Sequence, residues 1–533
     1  MAGSTENKHQ WGVTGPISMS LPSEDELRLN EALINELKAQ DNFESLEDTE
    51  RRKQVLQLFQ KVTEEFVRVV GKLKGLSQSA IDNAGGKVST YGSYRLGVYG
   101  PGSDIDTLIV GPKHVTRSDF FEHFIATLRR MSPPDAIEEA TPVSDAHVPI
   151  IKLEFSGISI DLIFVRLLVS SVPENLDLKD KTLLRGLDEV DLRSINGTRV
   201  TDEIMSLVPQ VKSFRHALRA IKLWAQRRAI YSNVIGFPGG VAWAMMVARI
   251  CQLYPMAPGA VIVAKFFHIM GGWPWPRPIL LKNIEDGPLP VRAWNPQLYA
   301  PDRRHLMPII TPAYPSMCAT HNITTSTKKV ILRELARANT IAQAIHAGKK
   351  PWKELFQKHS FFSSDYKYYL SIIAASRTKE AQQTWSGLVQ SKVRRLVSGI
   401  EFSDTGVAIA HPFNKGFDRV HLCKREEDVD MILQGDLQFQ VQPGQEVKGE
   451  VKDATGESKA SNGANGDDNG DKNNTTENKS GEDNSEAKGG DSKDDEPQDV
   501  AHDDAKKDIT IYTTTFYIGL ELAENDGMFP VTH

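Results

Sequence analysis

The sequence predicts an α/β chain of several domains: a mixed sheet with helices, a helical middle, and a smaller α+β unit at the end. Three observations predict it. The 533 residues have ordinary apolar content and are enough for three domains. Short β-branched runs such as Thr107-Leu108-Ile109-Val110 stand between long helical patterns in the first part of the chain. After about residue 352 the pattern changes, with strand-like segments, helices between them and one long polar interruption.

Residues 1–20 are polar with Gly and Pro and read as an arm. Ser23-Glu24-Asp25-Glu26 has the spacing of a capping box and opens a helix through about Gln40. A second helix covers roughly 44–75, with Val55, Leu58, Phe59, Val62, Phe66, Val69 and Val70 at helical spacing. Both are expected to pack beside the sheet. Gly85-Gly86-Lys87 imitates the end of a phosphate-binding loop, but Val88 stands where Ser or Thr is required.

Residues 91–112 carry the chemistry. Gly92, Gly97, Gly100 and Gly102 precede Asp104-Ile105-Asp106, which runs into the apolar strand ending at Gly111-Pro112. Residues two apart on a strand leave the same face, so Asp104 and Asp106 project together. Two adjacent carboxylates repel unless a cation sits between them, and hard oxygen ligands suit Mg²⁺. The glycines let backbone N–H groups approach an anion. An Asp-x-Asp by itself is usually a turn; Gly-Ser, ten residues, then Asp-x-Asp entering a strand is far more specific.

A helix follows near 117–131, then a loop rich in Pro and acid, then a strand over 147–155 and its antiparallel partner over 157–165. Asp161 interrupts that second apolar strand, where a carboxylate is costly unless ligated or paired. It reads as a third metal ligand. Lys152 on the adjoining strand is either a phosphate or base contact or a surface lysine. Residues 186–205 read as turns, with Asn196-Gly197 as the turn signal.

The helix over 208–231 buries Val211, Phe214, Leu218, Ile221 and Ala225, and aligns Arg215, Arg219 and Lys222 on an adjacent face. Gly239-Gly240 then opens another helix, whose N-terminus favours anions. Proline-laced connections fill 273–315, and a helix over 328–347 closes the middle. Strands are expected at 366–375, 437–442 and 509–522, with a helix over 384–398. In the last strand Tyr512, Thr514, Phe516, Ile518, Leu520 and Leu522 share a face, which reads as core rather than as a base-stacking platform.

Net charge is −6, but 446–508 holds 19 acidic and 9 basic residues, a balance of −10 that leaves +4 elsewhere. The body is mildly basic, as suits RNA, and the polar segment reads as a disordered insertion. Cys251, Cys318 and Cys423 lie far apart, which excludes a disulfide framework and a cysteine-based zinc site. No signal segment and no run of 18 apolar residues occurs, so a soluble intracellular protein with no membrane partner is expected.

The wording from Gly92 to Leu108 resembles the polymerase-β-type nucleotidyltransferase signature, and within it the eukaryotic nuclear, fungal-like poly(A) polymerases. The stretch from His305 through Thr324 resembles their central domain. The resemblance covers roughly 12–525 apart from the insertion, and the sequence runs only a little past the last strand, without the basic tail of many relatives. It implies a nucleotidyltransferase domain over 21–205, a central helical domain over 206–350 and an RNA-binding domain like the RRM fold over 351–533. It implies catalysis by Asp104, Asp106 and Asp161 with two Mg²⁺ or Mn²⁺ ions, and ATP contacts from Tyr91, Gly92, Ser93, Ser103, Ile105, Lys222, Tyr231, Gly240 and Val241. Val148, Lys152, Asn196 and Asn233 would touch RNA or nucleotide. The implied activity is template-independent addition of AMP from ATP to the 3′ end of pre-mRNA. It would be carried out in the nucleus by a monomer working with the cleavage and polyadenylation machinery. A uridylyl- or CCA-adding enzyme and a non-catalytic RNA-binding subunit are the alternatives; the intact acidic triad argues against the last.

Overall fold

The computed structural model describes residues 10–146, 148–285, 287, 289, 291–404, 406–442 and 508–523. The expected insertion lies outside the described residues, apart from Asp508.

Helix α1 (Glu24–Ala39) starts as its sequence predicts. The Ser23 hydroxyl accepts from the Glu26 amide, and the Glu26 carboxylate accepts from the Ser23 amide. Its buried Leu33 and Leu37 do not join the sheet; they enter the core of the middle helices. Periodicity reveals that a helix has a buried face, not which layer receives it. Helix α2 (Leu46–Leu73) does lie against the sheet.

After the short α3 (Gln78–Asp82) come β1 (Lys87–Thr90), α4 (Gly92–Leu96), β2 (Ile105–Gly111) and α5 (Arg117–Met131). Then follow β3 (Ile137–Val143), β4 (Ile150–Phe155) and β5 (Ile158–Arg166). The five strands form one mixed sheet, ordered β1-β2-β5-β4-β3, with β2 and β5 parallel and the other pairs antiparallel. Strand β3 occupies what reads as loop in the sequence. It is an edge strand with no buried residue, and tolerates Pro142 because one side needs no ladder bonds. One face of the sheet packs Ile105, Ile109 and Phe164 against Phe59, Phe66, Phe120 and Phe124 of α2 and α5. The other face packs Leu108, Val110, Ile163 and Val165 against Leu184, Ile195 and Tyr314. Both faces being covered, β2 reads as an unbroken apolar run.

The turns expected over 186–205 are instead α6 (Glu189–Ser206), with Asn196-Gly197 in mid-helix. Gly197 is there for space rather than for a turn: a Cβ would come within 2.9 Å of the Tyr91 ring. Helices α7 (Val211–Arg227), α8 (Gly240–Leu253), α9 (Gly259–Gly271), α10 (Ala300–Arg303) and α11 (Thr325–His346) complete the middle. The core of this region is built on Trp224, Trp243, Phe266 and Phe267. The N-terminal arm is tied to α8: Arg249 donates to Thr14 Oγ1 at 2.6 Å and the Ile17 amide to Leu253 O at 2.8 Å.

The last unit runs β6 (Tyr368–Ser376), α12 (Lys379–Glu401), β7 (Val407–Pro412), β8 (Phe417–Cys423), α13 (Glu426–Leu433), β9 (Ile509–Leu522). This is the β-α-β-β-α-β order, with β9 central, paired to β6 on one side and to β7 and β8 on the other. Residues 437–442 make an isolated bridge, His421 with Gln440, rather than a strand, and β7 and β8 take the places that local pattern did not mark. Phe516 and Ile518 pack on Val393 and Val397 of α12, and Tyr517 joins Phe361 and Phe413 on the opposite face. The alternation in β9 therefore builds core on both sides. Among the described residues no helix is long and apolar enough to cross a membrane.

Candidate active site

Strands β2 and β5 run side by side in parallel, and their register sets Asp106 directly opposite Asp161. Asp104 stands two residues earlier on the same chain, immediately before β2. Each of the three offers a carboxylate oxygen within 4.8 Å of the others, and each is half-buried, so solvent and ligand can reach them.

The electrostatics show what this proximity costs. Burial, then the like charges of Asp104 and Asp161, push the Asp106 carboxyl up to about 8, with Lys222 opposing. Burial and Asp104 push Asp161 up to about 6, with Lys152 opposing and Glu154 adding to the rise. Such carboxyls gain from a cation placed among them. Three convergent hard oxygens fit a divalent ion well.

The wall above the triad is the turn into α4. The Tyr91 amide donates to Asp106 O at 3.1 Å. Gly92 follows at φ +61°, and a Cβ there would lie 2.0 Å from Asp106 Oδ2. Only glycine meets both conditions. Its amide donates to Thr201 Oγ1 at 3.3 Å, which ties α4 to α6. Ser93 sits in the first turn of α4, and its carbonyl accepts from the Val98 amide at 2.9 Å. Ser103 closes the glycine turn, its hydroxyl accepting from the Gly100 amide at 3.0 Å, and so delivers Asp104 and Ile105 to the strand.

The facing wall comes from α7, the connection after it and the start of α8. Lys222 of α7 is half-buried; burial lowers its pKa, while Asp104 and Asp106 pull it back up. Tyr231 has its phenol raised by burial first and by Asp106 and Asp104 next. Tyr91 is raised by burial and by all three aspartates. These groups share the triad's electrostatic field. Gly240 begins α8 where a Cβ would lie 2.6 Å from the Tyr231 hydroxyl, and half-buried Val241 packs on the middle core.

Asn196 and Asn233 each hold a buried Oδ1 that meets no donor among the described residues. Asn196 lies beside Gly197, which faces Tyr91; Asn233 is fixed through its carbonyl, which accepts from Asn322 Nδ2 at 3.2 Å. Lys152 pairs with Asp161 across β4 and β5 and is exposed. Val148 is half-buried against the sheet face that carries Leu108 and Ile163. Lys87, the decoy, starts β1 and donates to Glu174 O, away from the triad. Thr201 carries no local signal and Gly197 reads locally as part of a turn; their roles come from which face of α6 meets Tyr91 and Gly92.

Comparison with known proteins gives three family models in succession. They are the poly(A) polymerase nucleotidyltransferase domain over residues 12–208, the poly(A) polymerase central domain over 213–358, and the poly(A) polymerase predicted RNA binding domain over 360–529. The chain is 54% identical over 518 residues to poly(A) polymerase pla1 of Schizosaccharomyces pombe, covering 97% of this chain and 85% of that protein. It is 60% identical over 427 residues to poly(A) polymerase PAPalpha of Candida albicans, covering 80% and 76%. A crystal structure of the Cid1 poly(U) polymerase aligns at 14% identity and a TM-score of 0.40, over 63% of this chain and 98% of that one. A cytoplasmic RNA terminal U-transferase aligns at 13% and 0.42, over 63% and 99%.

Proposed function

The chain belongs to the poly(A) polymerase family, and on that premise we propose how its own residues carry out template-independent addition of AMP to an RNA 3′ end. It is a polynucleotide adenylyltransferase with RNA and nucleotide as substrates. The observation that carries the mechanism is the convergence of Asp104, Asp106 and Asp161 across β2 and β5.

Those carboxylates would hold two Mg²⁺ or Mn²⁺ ions. Bound there, divalent cations supply Lewis-acid polarisation of the phosphoryl group and activation of the attacking hydroxyl. ATP enters between the sheet and the middle helices. Lys222 attracts the triphosphate; the α4 turn borders it through the close backbone approach that Gly92 allows and through Ser93, and the α8 start at Gly240-Val241 borders it with backbone amides. Tyr231 and Tyr91 wall the nucleotide, and the unpaired Oδ1 atoms of Asn196 and Asn233 are acceptors for its N–H or O–H groups. The RNA end approaches along the exposed Lys152 and Val148 side of β4. No covalent intermediate on the chain is needed, because alignment and charge stabilisation supply the rate.

The units 21–205, 206–350 and 351–533 form the working domains in this reading, the ATP site lying between the first two. We further place the enzyme in the nucleus, as a monomer serving the machinery that cleaves and polyadenylates mRNA precursors.

The test is primer extension. Purified protein, an oligo(A) primer and each of the four NTPs are combined with Mg²⁺ or Mn²⁺. ATP is expected to support long tails and the other three little or none. Preference for UTP or CTP would make the chain another terminal nucleotidyltransferase, and no extension with any NTP would make it a non-catalytic subunit.

A further inference from the structure

Arg215, Arg219 and Lys222 line one face of α7, at spacings of four and three residues. In sequence this is a basic helix face of the kind that is usually solvated. In the fold it is not. Arg215 Nε donates to Leu96 O at 2.9 Å. Arg219 is buried; one terminal nitrogen donates to Gly97 O at 3.2 Å and the other to Asn42 O. Its guanidinium also lies 4.5 Å from the centre of the Phe43 ring.

Leu96 and Gly97 end α4, the five-residue helix whose other end is Gly92, packed against Asp106. So short a helix cannot hold itself together, since nucleation costs more than one turn returns. Its last carbonyls have no partners within the helix. Guanidinium groups suit those carbonyls, through the fork geometry and the negative end of the helix.

We propose that Arg215 and Arg219 are positioning residues for nucleotidyl transfer. They grip the C-terminal end of α4 from the same helix that presents Lys222. The α4 backbone, the carboxylate of Asp106 against it and the ammonium of Lys222 are thereby held in one register. Neither arginine touches the reacting atoms. A shift of α4 by a fraction of its width would move Gly92 and Ser93 off Asp106 while leaving the strand-borne Asp106 and Asp161 in place. The inference rests on the reading of Asp104, Asp106 and Asp161 as the catalytic centre.

The test uses the full chain with Arg219→Met, which keeps the aliphatic stem and removes the donors, and with Arg215→Met at the less buried position. At saturating ATP and oligo(A), kcat is expected to fall at least about tenfold, as misalignment of reacting groups does. Affinity for the oligo(A) primer should change by less than about twofold, because neither arginine is in the RNA path proposed above. Amide hydrogen exchange across 92–97 should quicken while the core of α7 stays protected. Arg219→Lys should remain impaired, because one ammonium cannot span Gly97 O and Asn42 O. Rescue by that lysine, or a fall in kcat with unchanged exchange at 92–97, overturns the proposal; so does kcat within about twofold of the parent in both methionine variants. If Arg219→Met does not fold, Arg215→Met decides by the same readouts. Asp161→Ala is the control. If it stays active, the reading of the triad fails; if it is inactive while both methionine variants are unaffected, the positioning role alone fails.

Discussion

Asp106 and Asp161 stand opposite each other on neighbouring parallel strands, one pushed up to about 8 and the other to about 6. Side chains at matched register on adjacent strands leave the same face of the sheet. Backbone pairing thus forces two carboxylates together that would separate if free. The sheet, with both faces packed, keeps them there.

Stability should carry this signature. From about pH 4 upward the folded protein holds protons that the unfolded chain has released, on both carboxyls to about pH 6 and on Asp106 to about pH 8. The folded state binding more protons, its stability falls as pH rises from that range to about 8. In EDTA the thermal midpoint should drop more steeply across this window for the parent than for Asp106→Asn. Added Mg²⁺ should raise the parent midpoint more near pH 8 than near pH 5, since cation binding needs the ionised carboxylates. Equal slopes with and without Asp106 would remove the charge pair as their source.

Gly92→Ala tests the close approach of α4 to the triad. The φ of +61° costs alanine about 1–2 kcal/mol, and the new Cβ cannot occupy a point 2.0 Å from Asp106 Oδ2. Activity is expected to fall at least about tenfold, well beyond what the small loss of thermal stability explains. A fully active variant in steady-state assays would show that Asp106 has freedom to step aside.

Lys222→Ala and Tyr231→Ala should each raise KM for ATP and also lower kcat. Lys222 comes from α7 and Tyr231 from the connection between α7 and α8, yet both lie in the field of Asp104 and Asp106 on the sheet. In the function proposed above ATP spans the two walls, so a lost contact would weaken binding and alignment together. Primer affinity, measured by fluorescence anisotropy, should hold. An equal loss of primer and ATP binding would put these residues in the RNA path.

Arg52 and Glu44 pair at 2.8 Å with side chains 4% and 4% exposed, at the link between α1 and α2. Arg52→Met leaves the Glu44 charge buried and should cost about 3–5 kcal/mol. Arg52→Met with Glu44→Leu should recover most of that. Urea unfolding of the single and double variants separates the cases. A double variant no better than the single would show that packing of Arg52 on Tyr99, not charge, was lost.

The sequence by itself determined the acidic triad. Asp104 and Asp106 announce themselves by spacing before a strand, and Asp161 by standing where an apolar residue belongs. It also determined α1, α2, α5, α7 and β9, because a repeat of 3.6 or 2 along the chain is a local property. The tertiary structure alone decided what those patterns face. It sent Leu33 and Leu37 to the middle core, wound Asn196-Gly197 into a helix to fit Tyr91, and made Pro142 part of an edge strand. It turned Arg215 and Arg219 from a nominally solvated face into donors for the end of α4. Each of these depends on a partner far along the chain, and no local repeat records the distance between residues that meet only after folding.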